Sequence, residues 1–339
     1  MKKLTLEMLA KKAGVGIATV DRVLNERGGV SPETARKVLN VARQIGLKRL
    51  LPEDLKHPWQ IELFLSSNDS YFFKQLARQF ADVASHLGYQ RLTLHRTLVP
   101  ESQPEKLAQL IIKSASLRDG IIVFGHDYPV IHDALHYCQM NNVPVITLAT
   151  DIPGVDRLCH VGINQQQAGR TAGLLMSKSI NRPGDIIMVS GRFDYRAHRQ
   201  RIEGFRNVVE RCAPQSQIRE VLAGLDQRDT IRGLLEQALS GSQQIAGIYN
   251  TGVGNSEISD VLKKHKLLGH CCYITHELYS VTRKLLEQDM VSFTLDQNAR
   301  EHAVTATDLM LRYLESGYKA DEYKEGNVAF RIVTAENLE

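Results

Sequence analysis

Apolar residues in the first fifty positions recur at helical spacing. Leu6, Leu9, Ala10 and Ala13 share one face of a short helix over 6–12, and Gly14 supplies the freedom for a sharp turn. Val20, Val23 and Leu24 then line the inner face of a second helix over 17–25. Gly28-Gly29 breaks the chain, and Ser31-Pro32-Glu33 opens a third helix: Ser caps, Pro fits the first turn and Glu favours the positive end. Ala35, Val38, Leu39, Ala42 and Ile45 give that helix its apolar stripe, with Gly46 placed to end it. Ala10, Gly14 and Val20 stand four and six residues apart, which suits two helices crossing closely over a glycine turn, a helix-turn-helix.

From Gln60 onward the pattern changes. Apolar runs at 60–66, 91–95, 120–124, 143–149, 185–189, 218–222, 246–250, 271–275 and 291–295 read as strands. Amphipathic helical patterns lie between them, among them 72–87, 165–180, 257–264 and 299–314. Such alternation predicts parallel sheets with helices on both faces, and its length predicts two lobes rather than one sheet. The expected architecture is an all-α helix-turn-helix head over 1–49, a linker over 50–59 and an α/β body of two doubly wound lobes. One lobe would take 60–161 and about 294–318, the other 162–293 and about 319–339. Polar residues gather after successive strands: Ser67-Asn68-Asp69, His126-Asp127, Thr150-Asp151, Arg192-Phe193-Asp194, Asn250-Thr251, His276-Glu277 and Asp296-Gln297. Ligands in open α/β sheets bind outside the carboxyl ends of the strands, so these clusters predict a polar cleft between lobes.

Charge sharpens this division. Residues 1–50 hold eleven Lys and Arg against four acids, while the other 289 hold 31 against 34. A small basic module on a near-neutral body is the electrostatic footprint of a nucleic-acid-binding head. The five cysteines, Cys138, Cys159, Cys212, Cys271 and Cys272, are odd in number with no C-x-x-C pair, so neither a disulfide framework nor a zinc site follows. The first residues carry no apolar core of a signal peptide, and the expected location is the cytoplasm.

Three segments carry a family resemblance: Leu4 to Val15, Ala18-Thr19-Val20-Asp21-Arg22-Val23-Leu24-Asn25, and Val30-Ser31-Pro32-Glu33-Thr34-Ala35-Arg36. Together they resemble the head of the LacI family of transcription regulators. The resemblance implies that the second helix enters the major groove, with Ile17 and Ala18 at positions that vary with operator sequence and Arg22 reading a base. Thr19, Asn25, Ser31 and Thr34 would meet phosphates and fix register. Gly16 stands where the family usually has a capping Ser. Asp21 replaces another Ser and would accept from a cytosine amine, orient Arg22 or simply face solvent. The family's hinge helix wedges a leucine into the minor groove, for which Leu55, then Leu51, is the candidate here. Pro52 and Pro58 leave that segment little more than one turn, and the alternative is an ordinary linker.

The body resembles the type I periplasmic-binding-protein fold, the usual sensor of that family. Ser70-Tyr71-Phe72-Phe73 sits where Asn-Pro-Phe-Phe normally lies, so Ser70, Phe72 and Phe73 would face ligand, the rings covering a sugar. Arg201, in the segment Arg199 to Phe205, would reach ligand hydroxyls or carboxylates, and Asn250, His276 and Gln297 match cleft-facing positions. Asp127 and Asp151 complete the candidate set. Ala149-Thr150 replaces the usual Asp-Arg, and His276 stands where an Asp is common. Both departures set this cleft apart from that of a simple pentose or hexose binder. The partners implied are a near-palindromic duplex operator, a small polar metabolite and a second copy of the chain.

Other readings are weaker. Asn250-Thr251-Gly252-Val253-Gly254-Asn255-Ser256-Glu257 is a partial dinucleotide fingerprint, but Glu257 replaces its third glycine. His132 and His136 share a helix face with no third ligand in view, and neither G-x-S-x-G nor a G-K-[ST] loop occurs. No enzyme, cofactor or metal is expected. A body that answers to a protein partner is the remaining alternative.

Overall fold

The computed structural model describes residues 5–338 apart from 26, 28, 45–57, 89–90, 194, 242–243 and 322–323. The chain divides into two compact units, a head within residues 1–59 and a body that holds nearly all of the rest.

In the head, α1 (Leu6–Ala13), α2 (Ile17–Leu24) and α3 (Pro32–Gln44) form as the spacing predicts. Thr5 caps α1 by accepting from the Met8 amide, and Gly14 ends it in the left-handed region at φ 64°. Ser31 Oγ accepts from the Thr34 amide at 3.2 Å and so caps α3. Leu9, Ala10, Ala13, Val20, Val23, Leu24, Val38, Leu39 and Ala42 close a core between the helices.

The body begins with β1 (Trp59–Ser66), α4 (Tyr71–Leu87), β2 (Leu92–Val99), α5 (Pro104–Ala115), β3 (Gly120–Val123), α6 (Pro129–Met140), β4 (Val145–Leu148) and β5 (Cys159–Ile163). It continues with α7 (Gln165–Ser179), β6 (Asp185–Ser190), α8 (Arg196–Cys212), β7 (Ile218–Ala223), α9 (Arg228–Leu239), β8 (Ile245–Asn250), α10 (Asn255–Lys264), β9 (Cys272–His276), α11 (Ser280–Glu287) and β10 (Phe293–Asp296). It ends with α12 (Ala299–Ser316), β11 (Asn327–Val328) and β12 (Arg331–Val333).

Two six-stranded sheets result, ordered β2-β1-β3-β4-β5-β11 and β7-β6-β8-β9-β10-β12. In the second sheet β10 and β12 run antiparallel, whereas β6, β8, β9 and β10 run parallel to their neighbours in that series. The first five strands follow the same order in both sheets, while β11 joins the first parallel to β5 and β12 closes the second antiparallel to β10. In each, the order reverses between the first and third strands, and an open parallel sheet leaves a crevice at that point.

The lobe boundaries differ from those the pattern predicts. β5 reaches Ile163 within the first sheet, and β10 stays in the second through Asp296. The helix α12 packs on α4 of the first lobe, and β11 joins the first sheet before β12 closes the second. Among the described residues, no helix is long and apolar enough to cross a membrane.

The helices α7 and α8 approach each other backbone to backbone. A methyl at Gly169 would strike the Arg201 carbonyl, and one at Gly204 would strike the Gln166 carbonyl. Only glycine lets the two backbones touch there. Gly204→Ala should therefore cost about 1–3 kcal/mol through overpacking. Gly233→Ala, in α9 with nothing within 4 Å of the added carbon, should be neutral or stabilising. Denaturant unfolding of the two variants checks this pair.

Candidate functional site

In the head, α2 buries Val20, Val23 and Leu24 and turns Ile17, Ala18 and Arg22 outward, Ile17 being 48% exposed. Gly16 makes no side-chain cap. Thr19 is half-buried on the same helix, while Ser31 and Thr34 join hydroxyls at the start of α3, 2.8 Å apart. Asp21 does not orient Arg22. Its carboxylate accepts from Asn25 Nδ2 at 2.6 Å and from Arg27 Nη1 at 2.8 Å. The wedge candidates Leu51 and Leu55 lie outside the described residues.

In the body, one cavity of about 410 Å³ lies at both crevices, lined from the two sheets' carboxyl ends. Ser70, Phe72, Phe73, Arg201, His276 and Gln297 line it. Phe73 is only 8% exposed and packs edge-on against Phe124, so Phe72 gives the wider face. Three candidates lie elsewhere. Asp127 turns to His132 Nε2 at 2.7 Å, on the surface. Asp151 holds Arg157 at 3.0 Å and accepts from Thr147 Oγ1. Asn250 is fully buried, and its amide donates to the Gly252 and Val253 carbonyls and to Asn255 Oδ1, shaping the turn that the cavity touches. In all three cases a nearer partner satisfies the polar group before it can face the cleft.

The chain passes between sheets at Ile163–Gln165, at Asp296–Ala299 and between β11 and β12, and a glutamine sits at each of the first two passages. Gln165 Nε2 donates to the Ala149 carbonyl at 3.2 Å and to Gln297 Oε1 at 3.3 Å. Gln165 Oε1 accepts from Arg201 Nε at 2.7 Å, and Arg201 Nη1 donates to the Thr251 carbonyl at 2.6 Å. At the rim, Tyr71 from the start of α4 stacks on Tyr279 before α11, ring centroids 5.2 Å apart. Each lobe thus contributes one ring to a contact across the cavity mouth.

Residues 5–49 match the lacI family of bacterial regulatory proteins, and residues 61–319 match the periplasmic binding protein domain family. The chain belongs to the periplasmic-binding-protein family and carries a lacI-family head. Catabolite control protein A of Staphylococcus epidermidis is 26% identical over 209 residues, 60% of this chain and 61% of that protein. DegA of Bacillus subtilis, an HTH-type transcriptional regulator, is 28% identical over 217 residues, 61% of each. The alignment therefore spans about 61% of each relative's length. Among solved structures, GanP of Geobacillus stearothermophilus, a glucose-galactose binding protein, superposes with a TM-score of 0.74 at 17% identity, over 84% of this chain and 99% of that one. A Burkholderia graminis solute binding protein in complex with D-arabinose gives 0.75 at 18% identity, over 84% and 98%. These likenesses show a shared fold.

The cavity also holds charged groups outside the candidate set. Glu277 is pushed up to about 8 by burial, with the Asp296 carboxylate adding to the effect. Asp226 is pushed up to about 6, again by burial first and by Glu101 second. Tyr71, Gln165, Tyr195, His198, Asp226 and Tyr279 also line the cavity without a sequence signal of their own, although each follows a strand or opens a helix at a carboxyl edge. Glu257, 7% exposed at the start of α10, lines the cavity, and its carboxylate would repel the pyrophosphate of a dinucleotide. Among the described residues no three His, Cys, Asp or Glu are grouped to hold a metal ion.

An acid whose pKa is raised on folding binds its proton more tightly in the folded state. Its contribution to stability is complete below the unfolded pKa and is lost as pH rises through the folded one. Glu277 should therefore lower the melting temperature as pH rises from its ordinary 4.5 to about 8. Glu277→Gln, which keeps an acceptor for Gln297, should flatten that fall in a series of thermal melts.

Proposed function

We propose that this chain is a sequence-specific DNA-binding transcription regulator whose operator affinity is set by a small polar metabolite, sugar- or polyol-like, bound between two lobes. The carrying observation is the joining of two features in one chain: a helix that presents Ile17, Ala18 and Arg22 outward, and a 410 Å³ cavity at the crevices of two repeated sheets. A lacI-family match over the head and solved neighbours named for sugars over the body support this reading.

As a homodimer, the protein places two heads in successive major grooves of a near-palindromic operator, about 10 bp or a multiple apart. Arg22 reads a base, since a guanidinium can bond guanine O6 and N7 together, while Thr19, Asn25, Ser31 and Thr34 fix register on phosphates. Asp21 acts through Asn25 and Arg27 rather than through Arg22. The metabolite binds one arrangement of the lobes better than another, and that differential affinity is what shifts operator binding through the linker. Such a regulator works in the cytoplasm, without catalysis of its own.

Selection of bound sequences from random duplex DNA tests the reading. Wild-type protein should recover a palindrome, and Arg22→Ala should cost about 1–3 kcal/mol on it while blurring one symmetric base pair. An equal loss on random DNA would remove Arg22 from base reading, and no enrichment with or without metabolites would overturn the function.

A further inference from the structure

The deep wall of the cavity holds a cation without an acidic partner. Arg201 is 4% exposed, yet its hydrogen bonds go only to neutral acceptors, the Gln165 side chain and the Thr251 carbonyl. No described carboxylate forms an ion pair with it, and Nη2 is left over. A buried guanidinium without a counterion is costly, and in a ligand cavity the counterion is a natural part of the ligand.

Beside it stands an unspent donor. His276 is 1% exposed and lines the same cavity, and its Nδ1 has no partner. Its Nε2 lies 2.9 Å from the hydroxyl of Tyr249, which is fully buried. A buried hydroxyl must place its proton on an acceptor, and for Tyr249 that acceptor is Nε2. Nδ1 then carries the hydrogen of a neutral imidazole. Burial and the charge of Arg201 both hold His276 well below its ordinary pKa, so the ring stays neutral. Thr150 Oγ1, also buried, unpartnered and on the cavity wall, adds a hydroxyl.

Among the described residues, none of the acids that line the cavity lies within ion-pair distance of Arg201. Glu257 pairs with Arg228 at 3.7 Å, and Asp69 pairs with Lys74. Glu277 accepts from Gln297, and burial pushes its pKa up to about 8 against the lowering effect of Arg201. At its deep end the cavity therefore offers donors and positive charge, where an Asp at position 276 would have offered an acceptor.

We propose that the ligand is a sugar acid, its carboxylate seated between Arg201 Nη2 and His276 Nδ1 and its hydroxyls toward the tyrosines of the rim. His276 is then the residue that selects the acid over the neutral sugar. This rests on the reading of the cavity as a sugar-like metabolite site.

The test is isothermal titration calorimetry of the full chain with D-glucuronate, D-galacturonate and D-gluconate, each beside its neutral counterpart, D-glucose, D-galactose and D-glucitol. At least one acid should bind roughly tenfold or more tighter than its counterpart, the scale of a charge-assisted pair over a neutral one. His276→Asp should erase that preference, and His276→Asn, which keeps an N–H donor, should retain most of it. Circular dichroism on both variants separates lost recognition from lost folding, and if His276→Asp unfolds, Arg201→Gln takes its place with the same expectation. A neutral sugar that binds as tightly as its acid overturns the proposal and leaves the sugar reading standing. So does a preference that survives His276→Asp. Failure of every sugar, neutral and acidic, overturns both.

Discussion

The backbone contact between α7 and α8 is the constraint on which the ligand cavity depends. Glycines at 169 and 204 let the two helices touch carbonyl to Cα, and that closeness brings Gln165, at the start of α7, onto Arg201 in α8. Were the helices pushed apart by a side chain's width, the guanidinium would lose a neutral partner that fixes its orientation. Gln165 in turn reaches Ala149 of the first lobe and Gln297 at the second passage between sheets. A steric fact within one lobe thereby sets the polar chain that joins both, and buried polar groups in such a chain are satisfied together or not at all.

Two lobes that share the order of their first five strands place their crevices face to face with little further design. Every strand end contributes a short polar turn, and several of these turns hold residues at positive φ, Ala149, Asp226 and Glu277 among them. Turns of that kind aim side chains that an extended chain would carry past the cleft. The aromatic contact of Tyr71 with Tyr279 spans the mouth from both sides.

Much of this was legible in the sequence. The head followed from Ala10, Gly14 and Val20, because close helix packing leaves few residue choices there. The long apolar runs of β1, β8 and β9 announced a buried parallel sheet. The strand β5 was not seen: His160 and Gly162 interrupt its apolar pattern, although Val161 and Ile163 are buried. β11 and β12 are too short to show any period. For the site, position after a strand located the right turns but could not say which residue of a turn faces inward. Thr150 lines the cavity and Asp151 turns to Arg157; Asn250 is spent on its own loop while Thr251 beside it meets Arg201. Those choices are settled by partners distant in sequence.

The account joins a DNA-reading head to a metabolite-reading body by one equilibrium, and thermodynamic linkage makes that joining measurable. The direct measurement is operator affinity, by fluorescence anisotropy, with and without a saturating metabolite, paired with metabolite affinity with and without operator. The account predicts two changes of the same factor, about fivefold or more, as a coupling free energy requires. A metabolite that fills the cavity tightly and leaves operator affinity unchanged would contradict it.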